Sequence, residues 1–285
     1  MSVLREIHLH VVGLGLMGAS LAMALKGKVA CLSGSDANPQ VAQRALADGV
    51  VQTLGGLEEA DCVILAIPAD AILHVAPRLA YKNGAVVIDL GSTKGQICAV
   101  LGTLAPQVAS VGGHPMCGVA ENGYNNAFPS LYANARFILC ETEGTTPHAL
   151  QLAEALVAAL GALPLWMDAA EHDRLAGAIS HLPHLMSFAL MRLAMELADK
   201  GERVYDMAAG GFDGATRLAR TDQTMITGMF TTNPTHIRAL VELLQVHLAY
   251  LTSLLDTPHA LRQELDSIVK ARREYTERYG ERLIT

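Results

Sequence analysis

Residues 7–18 read Ile7-His-Leu-His-Val-Val-Gly13-Leu-Gly15-Leu16-Met17-Gly18, a hydrophobic run that ends in a Gly-x-Gly-x-x-Gly turn. Each glycine of such a turn has a mechanical reason. Gly13 is placed for the tight turn, Gly15 for close approach of backbone to a pyrophosphate, and Gly18 for packing of the next helix on the strand. The helix expected over 19–26 points its unpaired N–H groups and the positive end of its dipole at the same anion site. Gly13, Gly15, Leu16, Met17 and Gly18 are therefore candidate cofactor contacts.

A second apolar run, 29–36, ends in Asp36, eighteen residues past Gly18 and close to the spacing of about 20 at which an acid receives a dinucleotide ribose. A carboxylate there accepts hydrogen bonds from both ribose hydroxyls and repels a 2′-phosphate. No Arg or Lys follows before Arg44, so NAD is favoured over NADP. Asp36 also suits another role, opening the Asp-Ala-Asn-Pro turn and capping the helix beyond it.

Working outward, apolar strands alternate with helix-like stretches. Strands are expected at 61–68, 85–90 and 108–111, and helices at 38–47, 69–80 and 93–104. A further strand pair, 136–140 and 163–167, flanks a helix at 147–160. This alternation implies βαβ units and a parallel sheet. After Asp168 no strand pattern remains, and helical periodicity covers 175–198, 233–255 and 258–280. The expected architecture is α/β: a Rossmann-type dinucleotide-binding domain over 1–167, then an all-helical domain over 168–285 for substrate binding and homodimerisation.

Bulk composition narrows the class. A chain of 285 residues suits one large or two ordinary domains, and a 51% hydrophobic fraction supplies the core. A formal charge of −7 argues against a nucleic-acid partner. Five cysteines, with no Cys-x-x-Cys, indicate neither a disulfide framework nor a zinc site. With no signal-peptide layout and no membrane-length apolar run, a cytoplasmic location is expected.

Ligands of open α/β sheets bind beyond the carboxyl ends of the strands. Ile67 and Pro68 close one strand where backbone can border the nicotinamide ribose. Gly-Ser92-Thr-Lys-Gly at 91–95 follows the next, and Gly-Gly-His114-Pro-Met-Cys-Gly at 112–118 the one after. Pro115 biases His114 to extended geometry, where it suits a general base; the alternative is a loop histidine bonding backbone. The helical half offers His172, Ser180, His181 and His184. Zinc is a poor use of them, since there is no His-Glu-x-x-His, so no metal is expected. Arg217 suits a two-pronged carboxylate clamp, or equally an ion pair with Asp213 four residues earlier.

Taken together, these motifs resemble the prephenate/arogenate dehydrogenase family of tyrosine biosynthesis along nearly the whole chain. The resemblance implies an NAD-dependent oxidative decarboxylation of a cyclohexadienol, with hydride leaving C4, a proton leaving the C4 hydroxyl, and the C1 carboxylate departing as CO₂. It implies that His114 takes the hydroxyl proton with Ser92 orienting it. Arg217 would hold the ring carboxylate, and His172, Ser180 and His184 would line the pocket. Activity should then rise with pH as His114 titrates. Three positions depart from the family pattern: Val119 where a threonine is common, Gly214 where an acid is usual, and Ile226 in place of a tryptophan. These touch the side-chain end of the substrate and leave the redox end intact. Prephenate is the favoured substrate. Arogenate is the alternative, and Glu121 is the carboxylate that could meet its ammonium. Rival readings are another Rossmann-plus-helical dehydrogenase and a non-catalytic NAD-sensing module. The first lacks a suitably placed lysine in the helical half; the second does not need Ser92, His114 and Arg217 together.

Overall fold

Eight short strands form one sheet in the order β3-β2-β1-β4-β5-β6-β7-β8 in the computed structural model, which describes residues 3–119 and 122–280. They are β1 (His8–Val12), β2 (Cys31–Ser35), β3 (Thr53–Leu54), β4 (Cys62–Leu65), β5 (Val86–Asp89), β6 (Ala109–Pro115), β7 (Arg136–Glu141) and β8 (Leu163–Trp166). Pairing is parallel from β3 through β6. The order reverses direction between β1 and β4, the switch point at which doubly wound sheets open a crevice for ligands. β4 and β5 are buried at every residue, which is why they read as apolar runs, broken only where Asp89 closes β5.

Two features of the sheet differ from the expected pattern. β7 runs antiparallel to β6; among the described residues between them there is one short 3₁₀ turn, Tyr124–Asn126, and no α-helix to carry a parallel crossover. That pairing also lengthens β6: Gly112 through Pro115 find ladder partners in Phe137–Cys140, so His114 lies within the strand rather than in a loop after it. The short edge strand β3 was not anticipated.

Helices cover the sheet: α1 (Leu16–Leu25), α2 (Pro39–Ala47), α3 (Ala69–Val75), α4 (Gly95–Gly102) and α5 (Pro147–Ala159). Asn38, not Asp36, caps α2; its side chain accepts from the Gln40 N–H at 3.0 Å, with Pro39 at the first helical position. Beyond β8 come α6 (Ala169–Ala176), α7 (Leu182–Asp199), α8 (Gly210–Thr216), α9 (Gln223–Thr232), α10 (Pro234–Ser253) and α11 (Pro258–Tyr279). Asp168 starts α6 by accepting from the Ala170 and Glu171 N–H groups. Between α6 and α7 the backbone widens into a π-turn at Gly177–His181. Pro183 explains it: a proline lacks an N–H and its ring crowds the carbonyl four residues back, so the turn before it opens.

By compactness the chain divides into Met1–Pro234 and Thr235–Thr285. Helices α6 to α9 thus belong with the sheet. One reason is visible at α9, where a Cβ on Gly228 would meet Asp70 Oδ1 of α3 at 2.6 Å. In the second unit Tyr250 donates to Glu264 at 3.3 Å, tying α10 to α11. That unit leaves Leu243, Val246, Ile268 and Val269 exposed. Among the described residues no helix is long and apolar enough to cross a membrane.

Candidate active site

At the carboxyl ends of β1, β2 and β4 the glycine turn behaves as its spacing demands. Gly13 has φ +92°, and a Cβ there would lie 2.5 Å from the Ala66 carbonyl oxygen and 2.8 Å from Ile67 Cγ2. A Cβ on Gly18 would sit 1.8 Å from the Gly13 carbonyl oxygen, whereas one on Gly15 would face open space. Gly15 is also the residue before α1 and caps nothing, so the N–H groups of Leu16 and Met17 are left for an anion. Asp36 braces the turn: its Oδ2 accepts from the Leu14 N–H at 2.7 Å and its Oδ1 from the Asn38 N–H at 2.8 Å. A carboxylate has about four acceptor sites, so capacity remains for ribose hydroxyls. Ile67 and Pro68 are half-buried at the lip of the same crevice. These residues fit a dinucleotide: a cradle with no Cβ, an uncapped helix start, and an acid beside it.

The chemistry gathers one strand pair further on. His114 on β6 is nearly buried, at 9% exposure. Its Nδ1 lies 2.8 Å from Nε2 of His172 on α6, and His172 Nδ1 lies 2.9 Å from Asp173 Oδ1. Asp173 is held in turn by the start of α4, accepting from the Lys94 N–H at 2.6 Å and the Gly95 N–H at 2.8 Å. Burial alone would raise the Asp173 carboxyl. The His172 hydrogen bond and the two backbone N–H groups outweigh it and hold the group below its ordinary value, so it is a carboxylate.

That charge decides the tautomers. A carboxylate only accepts, so His172 Nδ1 donates to it and His172 Nε2 is a lone pair. His114 Nδ1 must then donate to His172. The remaining His114 nitrogen, Nε2, is an unprotonated acceptor with no partner among the described residues. Burial, reinforced by His172, Lys94 and His181, pushes the His114 imidazole well below its ordinary value and keeps it neutral. His172 differs from the expected pocket-lining role. It is 2% exposed and both its ring nitrogens are spent, one on Asp173 and one on His114.

The π-turn carries the next residues. Ser180 is half-buried, and its carbonyl accepts from His184 Nδ1 at 2.9 Å. His184 is pushed down by burial, with the Ser180 carbonyl opposing and the Arg217 guanidinium adding to the effect. Arg217 therefore lies close enough to His184 to oppose its charge. It does not pair with Asp213: α8 stops at Thr216, so the four-residue helical spacing is not kept, and among the described residues no carboxylate joins it. The turn after α8 is pinned to α7 by the Ala219 N–H, which donates to Ser187 Oγ at 3.0 Å.

Between these groups sits His181, fully buried. It lies 3.1 Å from Asn233, whose amide also donates to the Asp173 carbonyl at 2.8 Å. Burial brings His181 down to about 4, with Asp173 and the Ser92 carbonyl opposing and His172 and His184 adding to the effect. The imidazoles at 114, 172, 181 and 184 and the guanidinium at 217 thus form one continuous electrostatic neighbourhood. Ser92 borders it, half-buried, and its hydroxyl has no hydrogen-bond partner among the described residues. Asp173 and Asn233 are site residues that spacing did not reveal: Asp173 accepts from Lys94 and Gly95, 79 and 78 residues back, and Asn233 reaches Asp173 and His181 across 60 and 52 residues. His181 was offered by the sequence among the histidines of the helical half, but without a role. Asp173 was visible only as a neighbour of His172. Glu121 lies outside the described residues.

A buried imidazole with an acceptor nitrogen, a guanidinium in the same electrostatic neighbourhood and a glycine cradle that fits a dinucleotide suit a dehydrogenase, and comparison with known proteins agrees. Residues 20–164 match the family described as prephenate dehydrogenase, nucleotide-binding domain, and residues 168–271 match prephenate dehydrogenase, dimerization domain. The chain belongs to the prephenate dehydrogenase family. It is 34% identical over 248 residues to the prephenate dehydrogenase of Lactococcus lactis, an alignment covering 84% of this chain and 68% of that protein. It is also similar to the crystal structure of Aquifex aeolicus prephenate dehydrogenase in complex with hydroxyphenyl propionate and NAD+. There the TM-score is 0.88 at 27% identity, with 94% of this chain and 98% of the other covered. Synechocystis arogenate dehydrogenase superimposes with a TM-score of 0.78 at 27% identity, covering 94% and 99%.

Membership of the family gives the three departures a location. Ile226 is buried on α9, Val119 is half-buried after β6, and Gly214 is exposed on α8. None of them is a hydrogen-bond partner of His114, His172 or Asp173.

Proposed function

We propose that the protein is an NAD-dependent dehydrogenase that converts prephenate to 4-hydroxyphenylpyruvate by oxidative decarboxylation, in tyrosine biosynthesis. NAD, held by Gly13, Gly15, Leu16, Met17, Gly18, Asp36, Ile67 and Pro68, supplies the hydride acceptor. His114 Nε2 takes the proton of the C4 hydroxyl as hydride leaves the same carbon, loss of CO₂ from C1 lets the ring become aromatic, and the His114 imidazolium returns the proton to the C4 oxygen to give the phenol. Ser92 orients the hydroxyl. Arg217 meets the ring carboxylate with two parallel hydrogen bonds, while Ser180 and His184 face the pyruvyl side chain. His172 acts through His114 by holding its tautomer, with Asp173 fixing His172. The observation that carries this reading is the single free nitrogen on His114, set as an acceptor by two hydrogen bonds behind it.

On this reading residues 1–167 bind the cofactor and residues 168–285 supply substrate contacts and a homodimer interface. The exposed apolar side chains of α10 and α11 support the dimer, and the family description of residues 168–271 supports it independently. A cytoplasmic location fits the five free cysteines.

The test is NADH formation with prephenate and with arogenate in parallel, for the wild type and for His114→Asn. The expected result is a prephenate kcat/KM at least tenfold above that for arogenate. His114→Asn should lose about 10²–10⁴ in turnover, the usual worth of general-base catalysis, with NAD affinity kept. Preference for arogenate would overturn the substrate, unchanged turnover in the variant would overturn the base, and no NADH with either would overturn the reaction.

A further inference from the structure

Beneath the histidine pair lies a lysine that this mechanism has not used. Lys94 is fully buried, and so is its ion-pair partner Asp89, the last residue of β5. The Lys94 ammonium bonds Asp89 Oδ2 and also donates to the Gly113 carbonyl at 2.6 Å, one residue before His114. Asp89 completes the clamp by accepting from the Gly113 N–H at 3.0 Å and the Gly91 N–H at 2.8 Å. A Cβ on Gly112 would lie 3.2 Å from Lys94 Cδ, so a glycine there admits the lysine stem under β6. The backbone N–H of the same Lys94 holds Asp173. One residue is thus joined to both ends of the hydrogen-bonded chain, His114 through Gly113 and His172 through Asp173.

We propose that Lys94 is a positioning residue for the dehydrogenase reaction: its clamp on Asp89 and Gly113 fixes the strand that carries His114, and its ammonium presents the positive end of a buried ion pair to both imidazoles. The proposal rests on His114 being the base. Burying a lysine-carboxylate pair is expensive and gives little stability over a well-packed apolar pair, so a purely structural account explains it poorly. Its field does what the base requires, since a positive charge opposes protonation of His114 and His172 before substrate arrives. The charged and titratable groups facing this spot are Asp89 from β5, Cys98 from α4, Cys140 from β7, His172 and Asp173 from α6, and His181 from the π-turn. Among the described residues Lys94 is the one lysine or arginine of that set, with Asp89 and Asp173 opposing it.

Two variants of the full-length protein test this. Lys94→Met removes the cation, and the double variant Asp89→Asn with Lys94→Met removes the whole pair without leaving a buried carboxylate alone. Two readouts are taken on each: the acid limb of kcat/KM against pH with prephenate, and NMR titration of ring-labelled histidine, with His114 assigned through His114→Asn. Both variants are expected to move the His114 titration and the acid limb upward by about tenfold or more in proton concentration, while the NAD Kd stays within about twofold. A folded variant whose His114 titration stays put or moves down overturns the proposal, as does failure of both variants to fold, which assigns Lys94 to stability alone. A shifted NMR titration with no shift in the kinetic limb would instead count against His114 as the base.

Discussion

The glycine turn and the histidine cluster are about equally well built but are specified in opposite ways. Gly13, Gly15 and Gly18 lie within six residues, and each can be assigned from what a Cβ would strike. The cluster draws Asp89, Lys94, His114, His172 and Asp173 from four elements, β5, β6, α6 and the loop that opens α4. The first region is local geometry and the second is a meeting of distant segments. Substitutions in the turn should therefore separate cleanly into folding and binding effects, whereas those in the cluster should propagate through hydrogen bonds to one nitrogen.

The largest effect that can break this contrast is Asp173→Asn. An amide sets its N–H₂ against one of the two backbone donors, Lys94 N–H or Gly95 N–H; turned toward Lys94 it donates to His172 Nδ1, which reverses both tautomers and leaves His114 Nε2 protonated, and turned toward Gly95 it loosens His172. Turnover should fall by about 10² or more, the scale of tautomer loss in a carboxylate–histidine pair, with NAD affinity unchanged. Steady-state kinetics with cofactor titration decides it, and retention of turnover would show that the chain of hydrogen bonds is ornamental. Next come two glycines that sharpen the local half. Gly18→Ala forces a Cβ against the Gly13 carbonyl and should cost about 1–3 kcal/mol of stability. Gly15→Ala meets no protein atom, so its Tm should match the wild type while its NAD Kd rises about tenfold. Equal thermal shifts in the two would erase the distinction.

A smaller effect concerns Arg217. Arg217→Lys keeps the charge but loses the fork, so KM for prephenate should rise about tenfold with kcat reduced less. A pH effect beneath the turn bears on stability rather than on binding. His10 is buried between Ser33 and Ser35 hydroxyls, and burial lowers it to about 4 from the model-compound 6.5. Above pH 6.5 both folded and unfolded chains hold it neutral. Between pH 6.5 and 4 the unfolded chain takes the proton first, so stability falls as pH falls, by about 3 kcal/mol in all. Denaturant titrations at pH 7 and pH 4.5 should show this loss shrinking in His10→Gln.

Much of this was legible in the sequence. Strand-then-glycine spacing located the nucleotide end, because a tight turn, a close approach and a close packing each require a missing Cβ at a set position. The alternation of apolar runs with helical stretches foretold the sheet, since a buried parallel strand must be apolar on both faces. The motif around 112–118 identified His114 itself. Less was legible where partners are remote. Asp89 reads as the odd acid closing an apolar strand and Lys94 as one letter of a glycine-rich motif; nothing in their spacing says that they form a buried pair under Gly113. His172 looked like a substrate contact because an exposed histidine and a fully hydrogen-bonded one have the same letter. The antiparallel turn of β7, and with it the placement of His114 inside β6, depends on a loop whose length says little about its direction.

Sequence alone therefore laid out most of the order of elements and pointed to the dinucleotide cradle and to His114 as the candidate base, because periodicity and missing side chains act over a few residues. Only the tertiary structure decided the protonation of that base. Which imidazole nitrogen is free depends on a carboxylate 59 positions away in the chain, and hydrogen-bond direction is a property of the assembled network rather than of any segment.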